Sequence, residues 1–154
     1  MDRIKNIFDK IGSLIPGYKG YADREGRRNC DKILRDSIVT QLIECEKILY
    51  SQMSDALKKK DKLKMSEIEE YRKQTNTLMS KVKFAPYGAT SFFSDNQIKE
   101  DELFSMYQHD CELADNVKKL FELSSTGVLI DINAQLKKCF DNLLRRNNYT
   151  NEFK

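Results

Sequence analysis

Four cysteines and a single histidine are the residues of this sequence best suited to metal binding or nucleophilic chemistry. They are scattered along the chain, at Cys30, Cys45, Cys111, Cys139 and His109. Zinc and redox sites usually contain close pairs such as Cys-x-x-Cys, and this sequence has none. The spacing therefore predicts reduced thiols on buried or half-buried helix faces of a cytosolic protein, with no metal and no cofactor.

Motifs of common catalytic sites are also missing. The sequence contains no Gly-x-Ser-x-Gly nucleophile motif and no glycine-rich phosphate loop. A di-iron helical bundle would need a glutamate three residues before His109, where Met106 stands. His109 and Asp110 are neighbours, but adjacent helical residues point about 100° apart and do not form a catalytic pair. We therefore predict a protein that is not an enzyme and has no evident small-molecule substrate, with cysteine or carboxylate chemistry as a minor alternative.

Asp110 is an acidic residue on an otherwise apolar helix face. It is one helical turn from Tyr107 and from Ala114, both of which we expect to face the interior. A buried carboxylate is costly without a partner of opposite charge. The pattern predicts that Asp110 forms a structural ion pair, with a ligand-binding acid as the alternative. The expected partners are arginines of the N-terminal region, at Arg24, Arg27, Arg28 or Arg35.

Residues 15–28, IPGYKGYADREGRR, concentrate glycine, tyrosine and arginine. Arginine with tyrosine can bind a phosphate or stack on a nucleobase. A nucleic-acid or phospholigand site is therefore one hypothesis, with residues 58–64 as a second contact. Acids alternate with bases here, so arginines that brace the fold internally, or a protein-docking surface, are the alternatives. The residues of the possible phosphate site are Tyr18, Tyr21, Arg24, Arg27, Arg28 and Arg35.

Charge is distributed unevenly along the chain. The net charge is only +3, so composition alone does not indicate nucleic-acid binding. Residues 1–35 carry a net charge of +4, and the remainder is slightly acidic. No apolar stretch approaches the ~18 residues expected of a membrane span.

Residues 2–15 predict a short amphipathic helix. Its apolar residues fall within an arc of about 120°, with Arg3, Lys5 and Lys10 at the edges. This face could pack on the rest of the protein, pair with another copy, or bind a membrane surface or protein partner. The residues concerned are Ile4, Ile7, Phe8, Ile11, Leu14 and Ile15.

The rest of the chain predicts four longer helices. Apolar residues recur at helical spacing in four segments, and the aromatic segment 84–93 should pack against them. The expected helix starts are at Asp23, near Ser66, and at a capping box beginning with Ser94. The four segments are residues 23–59, 66–83, 95–123 and 126–146.

The predicted fold is all-α, an up-down four-helix bundle of long helices preceded by a short amphipathic N-terminal helix on a Pro-Gly hinge. The expected divisions are the N-terminal helix (1–15), the hinge (16–22), the bundle (23–146) and a polar tail (147–154). We expect a cytoplasmic interaction or scaffold protein, with peripheral membrane attachment as an option. Its partner would be another protein or its own copies, a membrane surface or, less favoured, nucleic acid.

Overall fold

The computed structural model describes residues 2–85, 92–93 and 97–153. Within these residues the chain forms five α-helices and one 3-10 turn, with no strand, which confirms the all-α prediction. The elements are α1 (Asp2–Leu14), the 3-10 turn (Arg24–Gly26), α2 (Arg27–Lys58), α3 (Lys62–Phe84), α4 (Glu100–Ser124) and α5 (Leu129–Glu152).

Helices α2 to α5 form the bundle, and α1 lies against its outside. Helix α2 packs against α3 and α4, and α5 packs against the same two helices, so α3 and α4 each lie between α2 and α5. The Gln52 amide donates a hydrogen bond to the carbonyl oxygen of Ser124 at 2.6 Å, which places the last turns of α2 and α4 side by side. The α2–α3 and α4–α5 turns therefore share one end of the bundle, called here the turn end.

The predicted apolar seams form the core. The α2 seam from Leu34 to Ala56 and the α3 seam from Ile68 to Val82 are buried, except that Met53 and Tyr71 are half-buried. Side chains from α4 and α5 complete the interior, including Val117 and Leu136, both of which are fully buried. Helices with such narrow apolar stripes gain most of their stability from this packing.

The N-terminal boundaries of two helices differ from prediction. Asp23 caps the 3-10 turn by accepting a hydrogen bond from the Glu25 amide at 3.2 Å, and α2 itself begins at Arg27. The predicted start of α3 near Ser66 is wrong, because Asp61 supplies an earlier cap. Its carboxylate accepts a hydrogen bond from the Lys64 amide at 3.1 Å.

The second half of the chain contains two further differences. Helix α4 begins at Glu100 rather than Asp95, and the predicted capping box at Ser94 falls outside the described residues. Helix α5 continues to Glu152, well past its predicted end, so the expected polar tail is mostly helical. Tyr149 explains this extension, since its hydroxyl donates to the carbonyl oxygen of Glu102 at 2.8 Å and holds the last turns on α4.

Candidate functional site

Helix α1 lies along α4 with its apolar face turned towards the bundle. The rings of Phe8 and Tyr107 are 5.8 Å apart, and the Arg3 guanidinium stacks 4.2 Å from the ring centre of Phe104. Of the six predicted contact residues, Ile11 and Ile15 are fully buried. The others (Ile4, Ile7, Phe8 and Leu14) are half-buried and pack against the core. Of the predicted alternatives, the structure therefore has α1 packed on the rest of the same molecule. Part of the apolar face of α1 stays open to solvent.

The segment predicted as a hinge, residues 16–22, is a packed strap between α1 and the bundle. Tyr18 and Tyr21 are both buried, and their hydroxyls donate to the same oxygen, Oδ2 of Asp110, at 2.6 and 2.5 Å. The Tyr21 amide donates to the Tyr107 hydroxyl at 3.1 Å. Gly20 has a φ of +82°, and a Cβ there would lie 2.8 Å from Cε2 of Phe8. Only glycine fits both this conformation and this space.

Asp110 also forms an ion pair, but not with any of the predicted arginines. Its Oδ1 accepts from Nε of Arg146 at 2.6 Å, and Nη2 of Arg146 donates to Asp31 at 2.5 Å. Asp31 in turn pairs with Arg35 at 2.8 Å. The prediction of an N-terminal partner failed because the partner comes from the far end of the chain. A signal for Arg146 exists in the sequence, since it continues the seam of Cys139 and Leu143 at helical spacing.

The positive and negative charges of this buried network are equal in number. Each charged group has a partner inside the protein, which fits a structural role. Two carboxylates, Asp31 and Asp110, face two guanidiniums, Arg35 and Arg146. Burial alone would lower the pKa of Arg146, but the two carboxylates raise it well above its ordinary value. Burial, followed by the charge of Asp110, raises the pKa of Tyr21 well above the usual range. Arg146 therefore stays charged and Tyr21 stays neutral at physiological pH. The contacts of the network join the strap, α2, α4 and α5.

The structure does not bring the possible phosphate site together on one surface. Tyr18, Tyr21 and Arg27 are buried, and Arg35 is largely so. Arg27 donates to the carbonyl oxygen of Tyr21 at 3.0 Å and braces the strap. The remaining two residues of the set, Arg24 and Arg28, are exposed. A phosphate or nucleobase could reach most of this set only if the strap came away from the bundle.

The four cysteines are buried and poorly suited to nucleophilic chemistry. Burial raises the pKa of Cys30 to about 11 and those of Cys45 and Cys139 to about 12. Burial also raises the pKa of Cys111. Neutral thiols are weak nucleophiles and weak metal ligands.

His109 is half-buried against Tyr149, with ring centres 5.0 Å apart, and burial lowers its pKa. Within the part of the chain that the structure describes, no cluster of His, Cys, Asp and Glu side chains is arranged to hold a metal ion.

A groove remains beside the docked helix. It has a volume of about 520 Å³ and lies between the first half of α1, the strap and the first turns of α4. We call it the α1 groove. Two lysines and one glutamate stand among otherwise mostly apolar walls. The lining residues are Ile4, Lys5, Phe8, Lys19, Ala22, Glu100, Leu103 and Tyr107.

Comparisons with protein-family models, with curated proteins and with solved structures gave no match. The helices of the described ranges are all too short or too polar to cross a membrane.

Proposed function

We propose that this protein is a non-enzymatic interaction protein that binds a protein partner at the α1 groove. The observation that carries the proposal is the groove itself, an apolar recess with Lys5 and Lys19 among its lining residues. Its volume suits one or two large apolar side chains, and the lysines favour an acidic group beside them. The expected partner segment therefore combines a bulky apolar residue with a nearby aspartate or glutamate.

The docking of α1 supports a preformed site. Ile11 and Ile15 belong to the core, and Arg3 stacks on α4, so the walls of the groove are held in place before any partner arrives. A preformed site loses less conformational entropy on binding than one that must be assembled. The partner would bind to the part of the apolar face that remains open, without removing α1 from the bundle.

The nucleic-acid alternative has less support. A phosphate-binding surface needs exposed cations, whereas Arg27 is buried and Arg35 is largely committed to Asp31. The α1 groove also includes Glu100, which would repel a phosphate.

A display selection of random peptides on the full-length protein tests the proposal. Enriched peptides should carry an acidic residue close to a large apolar one. Their affinity should fall about tenfold or more for the double variant Lys5→Glu and Lys19→Glu, which converts two attractions into repulsions. The matched control is Lys137→Glu with Lys138→Glu, a pair of exposed lysines on α5. Peptides that bind both double variants equally well, or a selection without enrichment, would contradict the proposal.

Two further measurements test whether the α1 groove instead binds a second copy of the protein or a lipid surface. Light scattering at increasing protein concentration detects pairing with a second copy, which Lys5→Glu should weaken if the groove is the contact. Vesicle flotation detects a lipid surface, again with Lys5→Glu and Lys19→Glu against the α5 control. Dimerisation or flotation that depends on these lysines would replace the peptide partner by that alternative.

A further inference from the structure

The turn end of the bundle exposes an unusual share of apolar surface. Among the described residues, eight large apolar side chains are exposed, and four of them lie here. Leu63, in the first turn of α3, is 82% exposed, and Ile130, in the first turn of α5, is 76% exposed. Leu57, in the last turn of α2, and Val128, at the N-cap of α5, are also exposed. Such side chains at one extremity indicate a contact surface rather than scattered solvent-facing residues.

The α2–α3 turn at this extremity is basic. Residues 57–64 contain five lysines and one acid, Asp61, and all five lysines are exposed. The carboxylate of Asp61 is already engaged as the cap of α3. The nearest further acids along the chain are Asp55 and Glu67, one on each side of the basic turn. The lysines are Lys58, Lys59, Lys60, Lys62 and Lys64.

The α2–α3 turn is both prominent and ordered. Helix α2 continues six residues beyond Gln52, the partner of Ser124, so the turn projects about 9 Å past the end of α4. Two backbone hydrogen bonds close it, from Lys60 to Leu57 at 3.0 Å and from Asp61 to Ala56 at 2.9 Å. Leu63 and its neighbouring lysines are therefore presented on a fixed scaffold.

We propose that the turn end is a docking surface for an anionic lipid membrane. Leu57 and Leu63, on the projecting α2–α3 turn, enter the boundary between headgroups and acyl chains, and the lysines of that turn contact the acidic headgroups. Exposed apolar side chains and lysines on the same turn favour an anionic membrane over a nucleic acid as the partner. A nucleic-acid duplex would use the lysines but offers little apolar surface to Leu57 and Leu63.

This surface is separate from the α1 groove. The groove lies at the start of α4 and the turn end lies beyond the last residue of that helix, whose 25 residues span about 37 Å. A membrane-bound molecule would thus keep the α1 groove facing away from the lipid. The two proposals can fail independently, because the variants that test them lie at opposite ends of the bundle.

Co-sedimentation of the full-length protein with vesicles tests the inference. Vesicles of phosphatidylcholine with about one fifth phosphatidylserine should bind the protein at about 0.1 M salt, and binding should weaken as salt rises. Leu63→Ser should reduce the partition coefficient several-fold, and Lys59→Glu with Lys62→Glu should reduce it about tenfold or more. The matched controls are Leu144→Ser, at a residue 58% exposed on α5, and Lys137→Glu with Lys138→Glu.

A fluorescent probe gives a second readout, which reports directly whether the residue enters the lipid. The sequence contains no tryptophan, so Leu63→Trp introduces a single reporter. Its emission should shift to the blue on phosphatidylserine vesicles and be quenched by brominated acyl chains, whereas Leu144→Trp should change little.

Equal binding to vesicles with and without phosphatidylserine would overturn the proposal, as would turn-end variants that bind as well as their controls. A Leu63→Trp emission that stays unshifted would exclude insertion. Tighter binding to a DNA duplex than to vesicles, lost in the Lys59→Glu and Lys62→Glu variant, would reassign the lysines to nucleic acid.

Discussion

The side chains of Arg146 and Asp110 form a buried ion pair, with Nε of Arg146 2.6 Å from Oδ1 of Asp110 and at most 2% of either side chain exposed. Arg146 lies near the end of α5 and Asp110 near the middle of α4. The pair also anchors the strap, because both strap tyrosines donate to the other oxygen of Asp110. One carboxylate thus joins the N-terminal region to the C-terminal helix.

The first prediction concerns the loss of one partner of this pair. Arg146→Met would leave Asp110 and Asp31 buried with one guanidinium fewer, and should lower the free energy of unfolding by about 3–5 kcal/mol. Urea denaturation followed by circular dichroism measures the change. Arg145→Met is the matched control, because Arg145 is 52% exposed and its contacts with Asp141 and Glu112 lie at the surface. It should cost less than about 1 kcal/mol. Similar losses for the two variants would contradict the structural role of Arg146.

The helices could be predicted from sequence because their signal is local. The apolar residues of α2 and α3 repeat every three or four positions, and burying one stripe fixes both the helix and its inward face. The residues of each helix that face the core could be predicted in the same way. The start of α3 was misplaced because two capping residues, Asp61 and Ser66, compete within five positions, and the pattern does not rank them.

The long-range contacts could not be predicted from such local signals. A seam position predicts that Asp110 is buried, but the choice of Arg146 over the four N-terminal arginines depends on how α5 packs against α4. The strap shows the same limit. Its glycines and proline indicate a break between helices, whereas the burial of Tyr18 and Tyr21 depends on the position of Asp110. The candidate groove also arises only when α1 lies on α4.

The second prediction compares two strap glycines with nearly the same backbone conformation. Gly17 and Gly20 have φ values of +83° and +82°, but only Gly20 is closely surrounded. Gly17→Ala should cost about 1–2 kcal/mol from backbone strain alone. Gly20→Ala should cost clearly more, because its Cβ would also collide with the Tyr107 hydroxyl and with Phe8.

Thermal and urea unfolding of both variants measure this difference. Equal destabilisation would mean that the strap moves away from Tyr107 at little cost. In that case the description of residues 16–22 as a packed strap would be wrong.

The third prediction concerns alkaline pH. The thiols of Cys45 and Cys139 have an ordinary pKa of 9.0, which burial raises to about 12 in the folded protein. Above pH 9 the unfolded chain loses these protons while the folded protein retains them. The unfolded state then binds fewer protons, so stability must fall as pH rises, by about 1.4 kcal/mol per pH unit for each thiol.

Urea unfolding at a series of pH values from about 8 to about 10.5 checks this slope. Cys139→Val removes one of the buried thiols and, well above pH 9, should make the decline shallower by about 1.4 kcal/mol per pH unit. Stability that stays constant over this range would show that the thiols ionise equally in both states. An unchanged slope in Cys139→Val would assign the decline to other groups.

The fourth prediction concerns the attachment of α1. Ile11 is fully buried in the core, so Ile11→Ala should cost about 2–5 kcal/mol. Ile7 is only half-buried on the same helix, and Ile7→Ala should cost substantially less. Removal of residues 1–15 should destabilise the protein further and favour aggregation, because it uncovers the apolar side of α4.

Chemical denaturation of the two point variants and light scattering of the truncated chain provide the measurements. A truncated chain that stays monomeric, with the stability of the intact protein, would show that α1 is not part of the folded core. The α1 groove would then have no fixed wall, and a free amphipathic helix would become the better candidate for partner binding. Loss of stability in Ile11→Ala with little change in Ile7→Ala would instead place the anchor at the second half of α1. The first half would then be left to line the groove.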